Sequence, residues 1–247
     1  MEAPREEIKD KLIIALDVPA ADKALELVNL LRGRVGMFKV GSQLFTSAGP
    51  QLVREIVSGG DKVFLDLKFH DIPRTVANAA LEAVKMGVSM FNLHTMGGME
   101  TMRLTVQETD RYCSTFKVSR PKIVGITVLT SLNQEGFKRM GLERSVDEMV
   151  LRLSQIALET GLDGVVASPR EIRAIRETCG EGFIIVTPGI RPSWASADDQ
   201  RRFATPREAI EAGADYIVIG RPITGSKDPL LSLERVLSEL SSRQGGK

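Results

Sequence analysis

The 247-residue chain is poor in several things at once, and each shortage removes a class of function. Only two cysteines occur, Cys113 and Cys179, far apart and in no metal or redox spacing. That excludes a disulfide framework and fits packed or surface thiols in a reducing cytosol. Histidine is as rare, His70 and His94 alone, and the two form no metal-ligand spacing. Charge of either sign is not in excess: 33 basic residues against 32 acidic give a net charge of +1, so nothing attracts a nucleic-acid backbone. There is no basic or aromatic stripe, no apolar run of membrane-spanning length and no apolar core in the charged N-terminus MEAPREEIKDK. A soluble, cytoplasmic protein without membrane or nucleic-acid partners is expected.

Also lacking is any Pro- or Ser-rich linker or charge block that would divide the chain, and with 43% hydrophobic residues it can bury one large core. What is present instead is alternation. Short runs rich in Val, Ile and Phe stand at 12–18, 37–42, 62–68, 90–95, 122–130, 164–169, 183–190 and 216–223. Between them lie amphipathic stretches such as KALELVNLLR and VDEMVLRLSQIALET, several closed by a glycine suited to a helix C-terminus. Eight strand–helix units in this length predict parallel strands closed into a single-domain (β/α)8 TIM barrel over 12–247, with residues 1–11 as an N-terminal extension. A doubly wound open sheet is the competitor. It is weakened because LDVPAAD stands after the first strand where a G-x-G-x-x-G turn would be.

Period-two alternation assigns faces in the third run, KVFLDLK. Val63, Leu65 and Leu67 face the helices, and Phe64, Asp66 and Lys68 face the barrel interior. The charges sit at the C-terminal end of the strand, where barrels keep their chemistry. Other strand ends add Asp17, Lys39, His94, Thr127, Thr130, Arg191, Gly220 and Arg221. A purely structural ion-pair network accounts for any one pair, but less well for charges from several strands gathering on one rim.

VIGRPITGSKDP places Gly220 and Arg221 after the eighth strand, before a short helix start, the position at which barrels build phosphate sites from backbone N–H groups. The Arg221 fork matches phosphate oxygens, and Arg191 and Gln200 in the preceding long loop are placed to add to it. A surface salt bridge is the alternative role for the arginine. GRPITGSK imitates a P-loop in the wrong residue order.

In FLDLKFHDIP, residues 64 to 73, carboxylates close to Lys68 favour its charged form, which argues against a Schiff-base lysine. The arrangement suits an ammonium that stabilises a developing carbanion and then protonates it, with Lys39 extending the pattern into an alternating Lys–Asp–Lys–Asp network. Asp66 and Asp71 are also a pair that could hold Mg²⁺, though the lysine between them already supplies the counter-charge. The histidines read as packing or hydrogen-bonding residues, Trp194 as a cover for the strand-seven loop, and the methionines as core filler.

ALD, FKVG, FLDLKFHDIPRTV, TVLTS, TPGIR, DDQ and VIGRPIT occur in this order from about residue 12 to 235. In that combination the chain resembles the bacterial orotidine 5′-phosphate decarboxylase family. The resemblance implies cofactor-free, metal-free decarboxylation of orotidine 5′-phosphate to UMP and CO₂ in pyrimidine biosynthesis. It also implies roles: Lys68 as proton donor to C6, flanked by Asp66 and Asp71 with Lys39 completing the network; Asp17 and Lys39 at the ribose; Thr130 near the pyrimidine; Arg191, Gln200, Gly220 and Arg221 at the phosphate. It further implies a homodimer in which Asp71 and Thr75 reach into the partner's pocket. The D-x-K-x-x-D stretch alone is shared with Mg²⁺-dependent sugar-phosphate decarboxylases and epimerases of the same barrel superfamily, which are the nearest rival. A non-catalytic sensor of a phosphate ligand is the rival from another class.

Overall fold

The computed structural model describes residues 5–195 and 204–241. In chain order the first half comprises α1 (Arg5–Asp10), β1 (Leu12–Ala15), α2 (Ala21–Leu31), β2 (Met37–Gly41), α3 (Ser42–Ser58), β3 (Val63–Phe69), α4 (Pro73–Lys85), β4 (Met90–His94) and α5 (Met99–Phe116). The second half comprises β5 (Lys122–Ile126), α6 (Gln134–Arg139), α7 (Val146–Glu159), β6 (Gly164–Val166), α8 (Ile172–Cys179), β7 (Ile184–Thr187), α9 (Pro206–Glu211), β8 (Tyr216–Ile219), α10 (Arg221–Thr224) and α11 (Pro229–Ser241). The eight strands are parallel and close in sequence order, with β8 pairing back onto β1. This is the (β/α)8 barrel, and the open-sheet alternative is excluded by the β1–β8 pairing.

Strands covered on both faces explain the near-continuous apolar runs. Alternate residues divide them between two cores. Ile13, Ala15, Met37, Phe64, Met90, Val124, Val186 and Val218 fill the barrel, while Leu12, Ile14, Val40, Val63, Leu65 and Phe91 pack outward against the helices. Close packing sets some residue identities: a Cβ on Gly164 in β6 would lie 2.1 Å from the Ile184 carbonyl oxygen of β7.

Local chemistry starts the helices where the pattern places them. Ser145 and Glu148 form a reciprocal capping box at α7, as do Thr205 and Glu208 at α9. Proline occupies the first helical position of α4 and of α9, where a missing N–H costs nothing. At the N-terminus α1 packs on α11 and β1, with Ile8 against the outer core.

The strands are shorter than the apolar runs that announce them. Run 122–130 yields a strand only to Ile126, and run 183–190 only from Ile184 to Thr187. The residues that follow each strand turn over the C-terminal rim, where Thr127, Val128 and Ile190 stay buried outside the strands while Leu129 and Thr130 are exposed. Thr127 is an example: it is 2% exposed, and its hydroxyl donates to the Val166 carbonyl at 3.3 Å. It braces β5 to β6 rather than facing the rim.

Candidate active site

The site is built from β3 outward. Leu65 pairs with Phe91 and the next pairing is Phe69 with Leu93, so four steps along β3 match two along β4. The surplus residues form a bulge, a device that re-aims side chains next to functional sites. Within it Lys68 has φ of 55°, one of two non-glycine residues with positive φ among the described residues. Left-handed backbone costs an L-residue roughly 1–2 kcal/mol. Asn92, fully buried on β4, offsets part of this: its Oδ1 accepts the Lys68 backbone N–H at 2.8 Å, a bond contributing about 1 kcal/mol. The Asn92 amide then donates to Asp66 Oδ1 at 2.6 Å.

From Asp66 an ionic row runs across three strands. Lys68 Nζ lies 2.6 Å from Asp66 Oδ1, and Lys39 Nζ lies 3.2 Å from Asp66 Oδ2 and 3.0 Å from Asp17 Oδ1. The order is therefore Asp17–Lys39–Asp66–Lys68. Lys39 is 8% exposed, and an unpaired charge so placed would cost about 3–5 kcal/mol. For Lys39 burial is the largest single influence and favours the neutral amine, but Asp66 and Asp17 together overcome it and raise its pKa above the usual value. For Asp66 burial likewise pushes the carboxyl up, and Lys39, Lys68 and the Asn92 hydrogen bond overcome it, leaving the pKa below the usual range.

The signs give a pH window. A depressed Asp66 stabilises the fold fully above the usual carboxylate pKa near 3.8, and that contribution is lost as pH falls through the folded value. A raised Lys39 contributes fully below 10.5 and loses its contribution only as pH rises past its folded value. Between those limits the pair stays ionised. Room for it is reserved by sequence: a Cβ on Gly41 would come within 3.1 Å of Lys39 Nζ.

Asp17, Lys39 and Asp66 line a cavity of about 210 Å³ together with Arg191, Gly220 and Arg221, and a Cβ on Gly220 would lie 3.7 Å from Asp17 Oδ2. Gly220 caps α10, so the strand-eight loop does open a short helix. Arg191 is 7% exposed, and its backbone N–H donates to the Ala204 carbonyl at 2.9 Å, beside a bridge from Ile190 to Ala204 that closes the base of the strand-seven loop. Trp194, partly buried against the outer core, has the Arg235 guanidinium 4.3 Å over its ring. Gln200 lies outside the described residues.

Asp71, Thr75 and Thr130 do not line this cavity, and Lys68 adjoins it through its ion pair with Asp66. Asp71 is exposed and forms no ion pair with Lys68 within the chain; its Oδ1 accepts the Ile72 N–H at 2.7 Å. Among the described residues of one chain the Lys68 ammonium thus pairs with Asp66 alone, and the network gains Asp17 at its other end. Thr75 is exposed on the first turn of α4, and Thr130 is exposed in the loop between β5 and α6. The two histidine rings stack with centroids 5.1 Å apart, and burial, with His70 and Lys68 adding to it, holds His94 below the usual imidazole pKa. Asn92 was not singled out in the sequence. Its signal was there: in MFNLHT it is the polar residue on the same inward face as Met90.

Known proteins carry the same framework. Residues 10–236 match the model of the orotidine 5′-phosphate decarboxylase / HUMPS family. Proteins named orotidine 5′-phosphate decarboxylase from Syntrophotalea carbinolica and Geobacter sulfurreducens are both 51% identical to this chain, covering 96% of it and 97% and 98% of themselves. A crystal structure of orotidine 5′-phosphate decarboxylase from Lactobacillus acidophilus superimposes with a TM-score of 0.83 at 34% identity, over 94% of this chain and 99% of that one. With a family match over residues 10–236, relatives 51% identical along nearly their whole length and a solved structure of the same fold, the chain belongs to the orotidine 5′-phosphate decarboxylase / HUMPS family.

Proposed function

We propose that this protein decarboxylates orotidine 5′-phosphate to UMP and CO₂, a step of pyrimidine biosynthesis. The observation that carries this reading is a single cavity whose wall combines an Asp–Lys–Asp row with two arginines. A nucleotide needs both: cations for its phosphate and a polar, preorganised surface for the reacting ring.

The chemistry follows from the row. The phosphate lies between Arg191 and Arg221, whose forks match its oxygens, with the α10 backbone behind it and Gln200 contributing from the strand-seven loop. Asp17 and Lys39 meet the ribose hydroxyls. The substrate carboxylate sits over Asp66 and Lys68, and Thr130 approaches the pyrimidine when the substrate is bound. The C6–carboxylate bond breaks, its electron pair stays on C6, and CO₂ leaves. Lys68 Nζ gives its proton to C6, and the lysine is then reprotonated from water. An ammonium already fixed 2.6 Å from Asp66 needs little reorganisation as negative charge develops. Asp66 is already engaged by Lys39, Lys68 and Asn92, so the row supplies its own counter-charge and the reading needs no metal.

The test is ultraviolet absorbance of orotidine 5′-phosphate with the purified protein, with and without EDTA. Loss of the orotate band at equal rates in both is expected. Loss only without chelator would give the site to a metal-dependent reaction, and no loss with folded protein would overturn the substrate.

The working unit of this reading is a homodimer in which Asp71 and Thr75 complete the partner's site. Support comes from their position: both are exposed, and Asp71 borders a shallow depression of about 520 Å³ with His70, Ile72 and Met96. Ile72 is 68% exposed and Met96 50%, apolar surface beside the site that a second copy would cover. Lys68→Ala and Asp71→Ala chains should each be inactive alone. Mixed in equal amounts and allowed to exchange, they should regain roughly a quarter of parental activity, because half the dimers then hold one intact site. No recovery after exchange would refute the shared site. The two free thiols, one of them buried, agree with a cytoplasmic enzyme, which cell fractionation would check.

A further inference from the structure

We propose that Asn92 is a positioning residue for the proton donor: its side chain clips the Lys68 backbone into the left-handed conformation and turns Asp66 toward the Lys68 ammonium. The proposal rests on the decarboxylase reading and adds a residue that acts through Lys68 without touching substrate.

Three observations meet at this side chain. First, Lys68 stands at φ of 55° inside a strand, where no helix end or turn requires it. Second, the Lys68 N–H, turned out of the ladder by the β3 bulge, is received by Asn92 Oδ1 at 2.8 Å. Third, the same amide group donates at 2.6 Å to Asp66 Oδ1, the oxygen that also receives Lys68 Nζ at 2.6 Å. One planar amide thereby fixes both ends of the lysine: the torsion from which its side chain departs, and the carboxylate against which the side chain comes to rest.

The residue type is specific. An acceptor is needed toward the Lys68 N–H and a donor toward Asp66, at the reach of a short side chain. Aspartate has the shape but offers two acceptors when ionised, leucine has neither function, and glutamine is a methylene too long. Asn92 is fully buried, so no water substitutes for either bond. Across β5 it faces Val124, which can replace neither.

A residue that only satisfied the core would affect folding and leave the chemistry alone. A positioning residue would affect kcat, because misplacing the proton donor is felt at the reacting carbon while the remote phosphate still sets binding. For Asn92→Ala we expect kcat to fall about 10²-fold with KM within about threefold of the parent. Asn92→Asp keeps the shape and the acceptor toward the Lys68 N–H, and adds a pH signature. The ionisable groups around position 92 are Asp66 and Lys68 on β3, Lys39 on β2 and His94 on β4. Two carboxylates in hydrogen-bond contact take up one proton between them as pH falls. That proton restores the missing donor toward Asp66. The kcat of Asn92→Asp should therefore start well below the parent's at neutral pH and climb toward it in acid, while the parent's profile stays level over the same range.

The assay is steady-state decarboxylation of orotidine 5′-phosphate by parent, Asn92→Ala and Asn92→Asp across pH, with circular dichroism on each. Parental kcat in either folded variant, or a raised KM with kcat intact, would overturn the proposal. So would loss of the fold in both variants, which would assign Asn92 to the barrel as a whole. An inactive parent would overturn the reading beneath it, and is told apart because the variants then have nothing to differ from.

Discussion

The two ends of the barrel are both ringed with ion pairs, yet the pairs are made differently. At the N-terminal end, Asp163 receives the Arg120 guanidinium at 2.7 Å and the backbone N–H of Ile123 at 2.6 Å. Asp215 receives Arg176 at 2.7 Å and the N–H of Ile185 at 2.8 Å. Arg176 also donates to the carbonyls of Gly180, Glu181, Phe183 and Gly213. Each of these charges spends itself on backbone that strand ends leave unpaired. At the C-terminal end the side chains of Lys39, Lys68 and Asn92 converge on Asp66, and the row borders a cavity. Charge at a barrel rim is therefore no mark of a site by itself; what separates the ends is whether the charges close on backbone or on space.

That contrast breaks if the ends can exchange roles. The largest effect belongs to Lys68→Ala. Its loss should lower kcat by about 10⁴-fold or more, since proton donation and electrostatic stabilisation go together. Stability should change little, because Lys39 still neutralises Asp66 and the Lys68 side chain is one-third exposed. The absorbance assay and thermal unfolding on the same preparation check both halves, and a folded variant with substantial turnover would end the mechanism. Arg176→Ala is the mirror image. It removes bonds to four carbonyls, those of Phe183 and Gly213 part-buried, and to the Asp215 carboxylate, which should cost about 3 kcal/mol of stability. Its kcat should equal the parent's. Denaturant unfolding and the same assay decide it: a fall in kcat at unchanged stability would erase the distinction between the ends.

The same contrast separates what was readable in the sequence from what was not. Alternation of apolar runs and helical stretches was enough for the barrel, and period two was enough to turn Asp66 and Lys68 inward. Both are repeated signals, each reinforced by many residues. The place of Arg191 and Arg221 in the cavity wall was readable because each follows a strand within a few residues. Geometry created by one local irregularity was not. Nothing in KVFLDLK announces the bulge or the left-handed torsion at Lys68, because these arise from pairing with β4 and Asn92, residues distant in sequence. Thr127 was grouped with the rim by its place in an apolar run, but the strand ends at Ile126 and the hydroxyl turns to the Val166 carbonyl. Asp71 stands three residues after Lys68, and within one chain that spacing does not bring its carboxylate to the ammonium. The chain turns into α4 there, and the carboxylate accepts from Ile72 instead. Spacing along a chain predicts contact only while the element continues.

The smallest effect sharpens the comparison most, because it holds the backbone constant. Lys117 has φ of 52°, nearly the torsion of Lys68, but it stands exposed just after α5, with its N–H on the Cys113 carbonyl. A left-handed residue ending a helix is the ordinary place for glycine. Lys117→Gly should therefore stabilise the protein by about 0.5–1 kcal/mol, the relief of the Cβ clash less the added freedom of the unfolded chain. Turnover should not change. The gain, read by denaturant unfolding, measures on this protein the cost of a lysine in that conformation. A gain of that size would mean that at Lys68 the same cost is carried at a position glycine could occupy more cheaply, which only the ammonium can justify. A loss would mean that this torsion carries no such cost here, and the left-handed turn of β3 would then need no clip to hold it.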